Sequence, residues 1–298
     1  MLLHQLLTRS CTQMPHATAI VYKKTNLSYQ ELEAQVHQQT HALLGVHLKT
    51  QQRVAVYLAK QIETVSSFLA ISKAGGVFVP VNPVLKAPQV AYILNDCTVQ
   101  ILITSTNRLP SLLPSLTDCP DLHTVIVVDN NEIPQDNTLP QRVLAWQDFL
   151  AKADNISVLP SIIDTDMAAI LYTSGSTGKP KGVVLSHRNL VAGAESVCEY
   201  LNITANDCLL AVLPFSFDYG LNQLTTCLLQ GACCVLLDYL LPRDVIIALE
   251  THKITGLAAV PSLWAQLAHL TWPPGINNHL RYMTNSGGKL PKLVLTAM

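Results

Sequence analysis

Four hydroxyl side chains, Thr173, Ser174, Ser176 and Thr177, alternate with Gly175 and Gly178 and lead into Lys179 and Lys181. The run follows directly on the apolar stretch MAAILY. A turn of this composition behind a strand gathers backbone N–H groups, short hydroxyl donors and positive charge, the set a phosphate requires. Its glycines permit close approach and positive φ. A plain flexible turn has the same composition, so both readings stand on the residues alone. A Walker A loop needs glycine at position 173 and Ser or Thr at position 180, where Thr173 and Pro180 stand. The run is not G-x-G-x-x-G either. Ser176 is not in a G-x-S-x-G context, so hydrolase chemistry has little support.

Other chemistry-bearing residues have competing readings. His37 and His41 have the i,i+4 spacing of a helical metal pair, but no third ligand is evident, and a solvated helix face explains them. His187 follows the loop and could reach a phosphate, or sit in the first turn of a helix that Ser186 caps. Trp264 and Trp272 read as core.

The elements around the run follow a strand–helix alternation. Residues 28–44 read as a first helix, with the capping-box spacing of Ser28 and Glu31. RVAVYLA from Arg53 is a strand, ETVSSFLAISKA a helix ended by Gly75 and Gly76, and VFVPV a strand. A helix from Pro88 to Asp96 and the strands VQILIT and TVIVVD continue the pattern. Apolar strands alternating with helices predict a parallel sheet covered on both faces. Residues 130–165 read as a polar surface connection. MAAILY is then a strand, and Ser186 opens a helix with apolar positions at Leu190, Val191, Ala194, Val197, Cys198 and Leu201. The architecture echoes itself: 22 positions separate Val54 from Gly76 and Leu209 from Gly231, and Pro88 and Pro242 open the next helices. Two such halves are expected to flank a ligand cleft.

Hydrophobic residues make up 49% and charged residues 13% of the 298, against about 25% charge in ordinary soluble domains. Much of the chain is therefore buried, or some surface has a partner. A net charge of -1 gives no global field for nucleic acid or acidic membranes. No stretch reads as a transmembrane helix, and MLLHQLLTRS lacks the parts of a signal peptide. The eight cysteines form no C-x-x-C, and Cys233 and Cys234 point to opposite strand faces. A reduced, cytoplasmic protein is expected.

YTSGSTGKPKG at 172–182 resembles, position for position, the phosphate-binding signature of the AMP-forming adenylating enzymes: acyl-CoA synthetases, adenylation domains of peptide synthetases and luciferases. SKAGGVFVPVNP, SHRNL, LPFSFDYG and TNSGGKLP resemble further family segments in the same order. PFSFDYGLNQL, DYLLPRD and RYMTNSGGKLP look most like the acyl-CoA ligases associated with exosortase systems. The resemblance implies an α/β fold, the large N-terminal domain of adenylate-forming enzymes, with two similar subdomains and mostly parallel sheets covered by helices. It implies halves of about 1–165 and 166–298.

It also implies a reaction. A carboxylate attacks the α-phosphate of ATP, with Mg²⁺, and the acyl group passes to CoA or to the pantetheine of an acyl carrier protein. Thr173, Ser174, Gly175, Ser176, Thr177 and Gly178 would hold the phosphates, with charge from Lys179 and Lys181, and Thr173 and Lys181 would act in catalysis. Gly287 and Gly288 would lie against adenine. Phe217, Asp218, Tyr219, Gly220, Asn285 and Ser286 would contact the acid. A buried Asp218 would need a partner, either a substrate ammonium or a bond within the protein. Aromatic-Gly-x-Thr-Glu, T-G-D and C-terminal lysine motifs are not in this sequence. That predicts a truncated domain without its C-terminal lid, impaired by itself. An amino-acid-adenylating domain and a short non-enzymatic nucleotide- or acyl-binding protein are the rival readings.

Overall fold

The computed structural model describes residues 1–129, 140–153, 159–173 and 179–296. In chain order the elements are α1 (Leu3–Gln13), β1 (Thr18–Tyr22), β2 (Thr25–Ser28), α2 (Tyr29–Gly45), β3 (Arg53–Val56), α3 (Ile62–Lys73), β4 (Val77–Pro80), α4 (Ala87–Asp96) and β5 (Val99–Thr104). Next come α5 (Leu109–Leu116), β6 (Thr124–Val127), β7 (Arg142–Ala145), α6 (Trp146–Leu150), β8 (Met167–Thr173), β9 (Lys181–Ser186) and α7 (His187–Leu201). The rest are β10 (Cys208–Ala211), α8 (Asp218–Gln230), β11 (Cys233–Leu236), α9 (Pro242–Thr251), β12 (Gly256–Ala259), α10 (Pro261–Leu267), β13 (Tyr282–Asn285) and α11 (Lys292–Thr296).

The chain forms two compact units: Met1–Gln5 with Glu33–Leu190, and Leu6–Leu32 with Val191–Met298. The first holds a seven-stranded sheet ordered β7-β6-β5-β3-β4-β8-β9, parallel except for the antiparallel β8–β9 pair. The second holds a six-stranded sheet ordered β13-β12-β10-β11-β1-β2, parallel except for β1–β2. The expected α/β fold with mostly parallel sheets is therefore present in both.

The internal echo is topological. The path β3-α3-β4-α4-β5 is repeated as β10-α8-β11-α9-β12, and in each the first strand is central, giving β5-β3-β4 and β12-β10-β11. The helices that follow the central strands end alike. Gly75 follows α3 at φ 80 and Gly231 caps α8 at φ 76, a backbone region that favours glycine. The positive-φ partner of Gly231 is thus Gly75, one residue before the position that spacing suggested.

Low charge is explained by burial. Every residue of α3 from Thr64 to Ser72 is buried, hydroxyls included. Three of the four hydroxyls find partners: Thr64 donates to the Ala59 carbonyl at 2.6 Å, the Gln39 side chain donates to Ser66 at 2.8 Å, and Ser72 meets His4 at 3.1 Å, while the Ser67 hydroxyl has none among the described residues. Burial pushes the His4 imidazole down to about 3, so it is neutral. Trp264 is fully buried in the core of the second unit, and Trp272 packs partly buried against it.

Caps sit where the sequence put them. The Ser28 N–H donates to Glu31 Oε2 at 2.8 Å, and the Glu31 N–H returns to Ser28 Oγ at 3.2 Å. Ser186 and Asn189 exchange the same pair of bonds at the start of α7. Other features depart from expectation. Helix α1 and the β1–β2 hairpin precede the helix read as the first. β7 and α6 interrupt the stretch read as a connection. Lys181–Ser186 is a strand where only a loop was expected.

Candidate functional site

Strand β9 changes how the loop residues are presented. It pairs antiparallel with β8, placing Thr173 opposite Lys181 and Tyr172 opposite Gly182. Thr173 and Lys181 are therefore cross-strand neighbours at the end of the hairpin where the connecting segment joins the two strands, both exposed, with Lys179, also exposed, two residues before Lys181. Ser174, Gly175, Ser176, Thr177 and Gly178 lie outside the described residues. Among the described residues no carboxylate pairs with Lys179 or Lys181. Two unneutralised ammonium groups and a hydroxyl at one hairpin end suit a polyanion.

Sequence reasoning missed the groups that hold this hairpin. The Tyr172 phenol donates to Asp96 Oδ2 at 2.6 Å, from the C-terminal end of α4. A Cβ at Gly182 would lie 2.7 Å from Ile170 Cγ2 and 3.2 Å from Tyr172 Cζ, so only glycine lets the ring lie across the pair. The cross-strand register that links Tyr172 to Gly182 was legible only once 181–186 was read as a strand.

A second cluster is built within the other unit. Helix α8 begins at Asp218 after an extended Phe217. Asp218 is exposed, and its Oδ1 accepts the Tyr219 N–H at 2.8 Å. The expectation of a buried carboxylate in need of a partner is corrected here: solvent and the first turn of α8 already stabilise the charge. Phe217 is also exposed. The Tyr219 phenol meets the Thr284 hydroxyl at 2.6 Å, and burial raises the phenol above its usual range. The Trp264 indole donates to the Thr284 carbonyl at 3.2 Å, tying β13 to α10.

Beyond β13, the Asn285 side-chain amide donates to the Gly288 carbonyl at 2.8 Å and closes a turn around Ser286 and Gly287. Gly287 has φ 79, and a Cβ at Gly288 would lie 3.3 Å from Pro261. Both glycines thus have backbone or packing reasons to be glycine, and the turn they form is exposed. Gly220 is buried, and a Cβ there would stand 2.2 Å from the Pro214 carbonyl oxygen. Its place in the cluster is to let α8 start against that carbonyl. Gly220→Ala is expected to cost about 1–3 kcal/mol of stability, read as a lowered denaturant midpoint. An unchanged midpoint would contradict this packing.

The remaining candidates resolve simply. His187 is 1% exposed, and its Nδ1 accepts the Leu3 N–H at 3.2 Å, so it belongs to the start of α7 and not to a phosphate. His37 and His41 approach to 3.3 Å on α2, with His37 exposed. Among the described residues no group of three or more His, Cys, Asp or Glu is placed to hold a metal ion. None of the described helices is long and apolar enough to cross a membrane.

Comparison with known proteins adds an independent line. The family model for AMP-binding enzymes matches residues 7–298. Bacitracin synthase 3 of Bacillus licheniformis is 30% identical over 287 residues, covering 96% of this chain and 4% of that protein. Tyrocidine synthase 3 of Brevibacillus parabrevis is 29% identical over 97% of this chain and 4% of its own length. The chain thus spans a small fraction of these relatives. Among solved structures, VinN in complex with 3-methylaspartate matches with a TM-score of 0.79 and 25% identity, over 100% of this chain and 74% of that one. The anthranilate CoA ligase AuaEII, in complex with anthranoyl-AMP, shares the fold at a TM-score of 0.89 and 23% identity, over 100% and 57%.

Proposed function

The chain belongs to the AMP-binding enzyme family, and from that premise we propose that it serves ATP-dependent activation of a carboxylic acid. A carboxylate oxygen attacks the α-phosphorus of ATP and the bond to pyrophosphate breaks, leaving an acyl-adenylate. The thiol of CoA or of a carrier pantetheine then attacks the acyl carbon, and AMP leaves. The observation that carries this reading is the hairpin end, where Thr173 faces Lys181 across the β8–β9 pair with Lys179 alongside. A hydroxyl and a cation on a rigid pair of strands, with a second cation just before the pair, stabilise the charge that accumulates on departing pyrophosphate. Ser174, Gly175, Ser176, Thr177 and Gly178 would add donors, and Mg²⁺ would accompany the nucleotide. The exposed turn at Asn285, Ser286, Gly287 and Gly288 would receive adenine at its glycines. Phe217, Asp218, Tyr219, Asn285 and Ser286 would face the acid, with Gly220 setting the start of α8. The likeness of PFSFDYGLNQL and DYLLPRD to exosortase-associated ligases supports an acyl substrate, and eight free cysteines support a cytoplasmic setting.

An amino-acid substrate is the second reading. It is favoured by the bacitracin and tyrocidine synthases among the relatives and by VinN, solved with 3-methylaspartate. Asp218, exposed in the first turn of α8, has one oxygen left for a substrate ammonium. Pyrophosphate exchange into ATP by the full-length gene product, run with fatty acids against amino acids, separates the two. Exchange with fatty acids alone supports the first reading and exchange with amino acids alone the second. ATP binding without exchange for any acid leaves only a nucleotide-binding protein.

A further inference from the structure

Two phenols and one carboxylate brace the hairpin that carries Thr173 and Lys181. Tyr172 stands next to Thr173 on β8, and its phenol donates to Asp96 Oδ2 at 2.6 Å. Tyr92, one turn earlier on α4, lies 3.3 Å from Asp96 Oδ1 and 3.2 Å from the Pro180 carbonyl oxygen, sharing one proton between them. Pro180 is the residue before Lys181. The last turn of α4 therefore holds Tyr172 on β8 and the Pro180 carbonyl at the entry to β9, two positions from Gly182, the strand partner of Tyr172. Gly182 leaves room for the Tyr172 ring across the pair, so the ring is fixed on one side by its strand partner and at its tip by Asp96.

We propose that Asp96 is a positioning residue of the phosphate site: its carboxylate, acting through Tyr172 and Tyr92, sets where Thr173 and Lys181 stand. Nothing in the α4 packing otherwise requires a carboxylate there, since Asp96 is exposed while Val90, Ile93 and Leu94 make the buried face of the helix. Tyr92 supplies the Pro180 carbonyl with a donor. Burial, and then the bond to Asp96, hold the Tyr172 phenol far above its usual range, so it remains a donor at every working pH. The consequence is specific. Removing the carboxylate loosens the two groups that meet the nucleotide's phosphates and leaves the acid-binding cluster of the other unit unaltered.

The inference rests on the phosphate role proposed above, and its test keeps the two apart. In the full-length protein, Asp96→Ala is expected to weaken inorganic pyrophosphate and ATP binding by about 10- to 100-fold, with KM for the acid unchanged. Hydrogen exchange of the amides at 171–173 and 181–183 should quicken in the same variant. Asp96→Asn should restore most of both, because its oxygen still accepts from Tyr172 and its NH₂ can donate to the Tyr92 oxygen, freeing that phenol for Pro180. Asp96→Ala combined with Tyr172→Phe should be no worse than Asp96→Ala alone. Unchanged exchange in the hairpin of a folded Asp96→Ala, or multiplying losses in the double variant, would overturn the inference. Wild-type protein that binds neither pyrophosphate nor ATP would sink the phosphate reading, while the exchange comparison would still decide the positioning.

Discussion

Lys181→Ala is expected to lower kcat/KM for ATP in pyrophosphate exchange by about 100-fold, in the range found when one preorganised charge-stabilising group is removed from an active site. The size follows from where Lys181 stands. It is paired with Thr173 on a strand, so its ammonium is presented from a fixed place. No carboxylate among the described residues neutralises it. Lys181→Arg keeps the charge and should recover part of the loss, while its larger fork disturbs the geometry. Lys179→Ala should cost less, because Lys179 precedes the paired segment. The acid's KM should move little in any of the three. Equal losses at 179 and 181 would mean that the hairpin contributes only diffuse charge.

Asp207→Ala is expected to cost about 2–4 kcal/mol of stability, the largest structural effect we anticipate from one side chain. Asp207 is 3% exposed immediately before β10. Arg281 binds it through Nε at 2.9 Å and Nη2 at 2.8 Å. The Thr255 hydroxyl donates at 2.6 Å and the Thr204 N–H at 2.8 Å. Arg281 is 43% exposed, so the ion pair itself is screened and most of the cost comes from the Thr204 N–H, which loses its acceptor, and the Thr255 hydroxyl, which keeps only its longer 3.3 Å bond to the Cys208 carbonyl. Burial pushes the carboxyl up, but these bonds outweigh it and hold the group below its usual range. A depressed folded value means stability that is present above the unfolded carboxylate range, about pH 4, and is lost as pH falls through the folded value. The difference between wild type and Asp207→Ala should therefore be level near neutrality and shrink in acid. A difference that widens on acidification would contradict it.

The order of strands and helices was legible because buried parallel strands are short apolar runs and their helices carry caps. Ser28 with Glu31 and Ser186 with Asn189 mark helix starts by chemistry that needs no tertiary context. Strand β9 was not legible, because four of its six residues are exposed and Val183 and Val184 stand side by side in place of an alternating pattern. With it went the cross-strand pairing of Thr173 and Lys181 and the reason for Gly182. Helix α1 left a signal that reading the N-terminus only for export overlooked: Leu3, Leu6, Leu7 and Ser10 fall on one buried face. Asp218 shows the limit from the other side. Its type and neighbours suggested a buried charge, but exposure depends on how α8 starts against Pro214, which spacing does not encode. Asp96 and Tyr172 are 76 positions apart, and nothing local joins them.

The central claim is that a carboxylate displaces pyrophosphate from ATP at the site Thr173 and Lys181 help to form. It is tested most directly by following oxygen. An acid substrate labelled with ¹⁸O in both carboxylate positions is turned over with ATP and a thiol acceptor by the full-length protein, and the nucleotide products are weighed by mass spectrometry. The expected result is AMP carrying one ¹⁸O, unlabelled pyrophosphate, and no ADP. ADP with labelled inorganic phosphate, or AMP without label, would contradict the account.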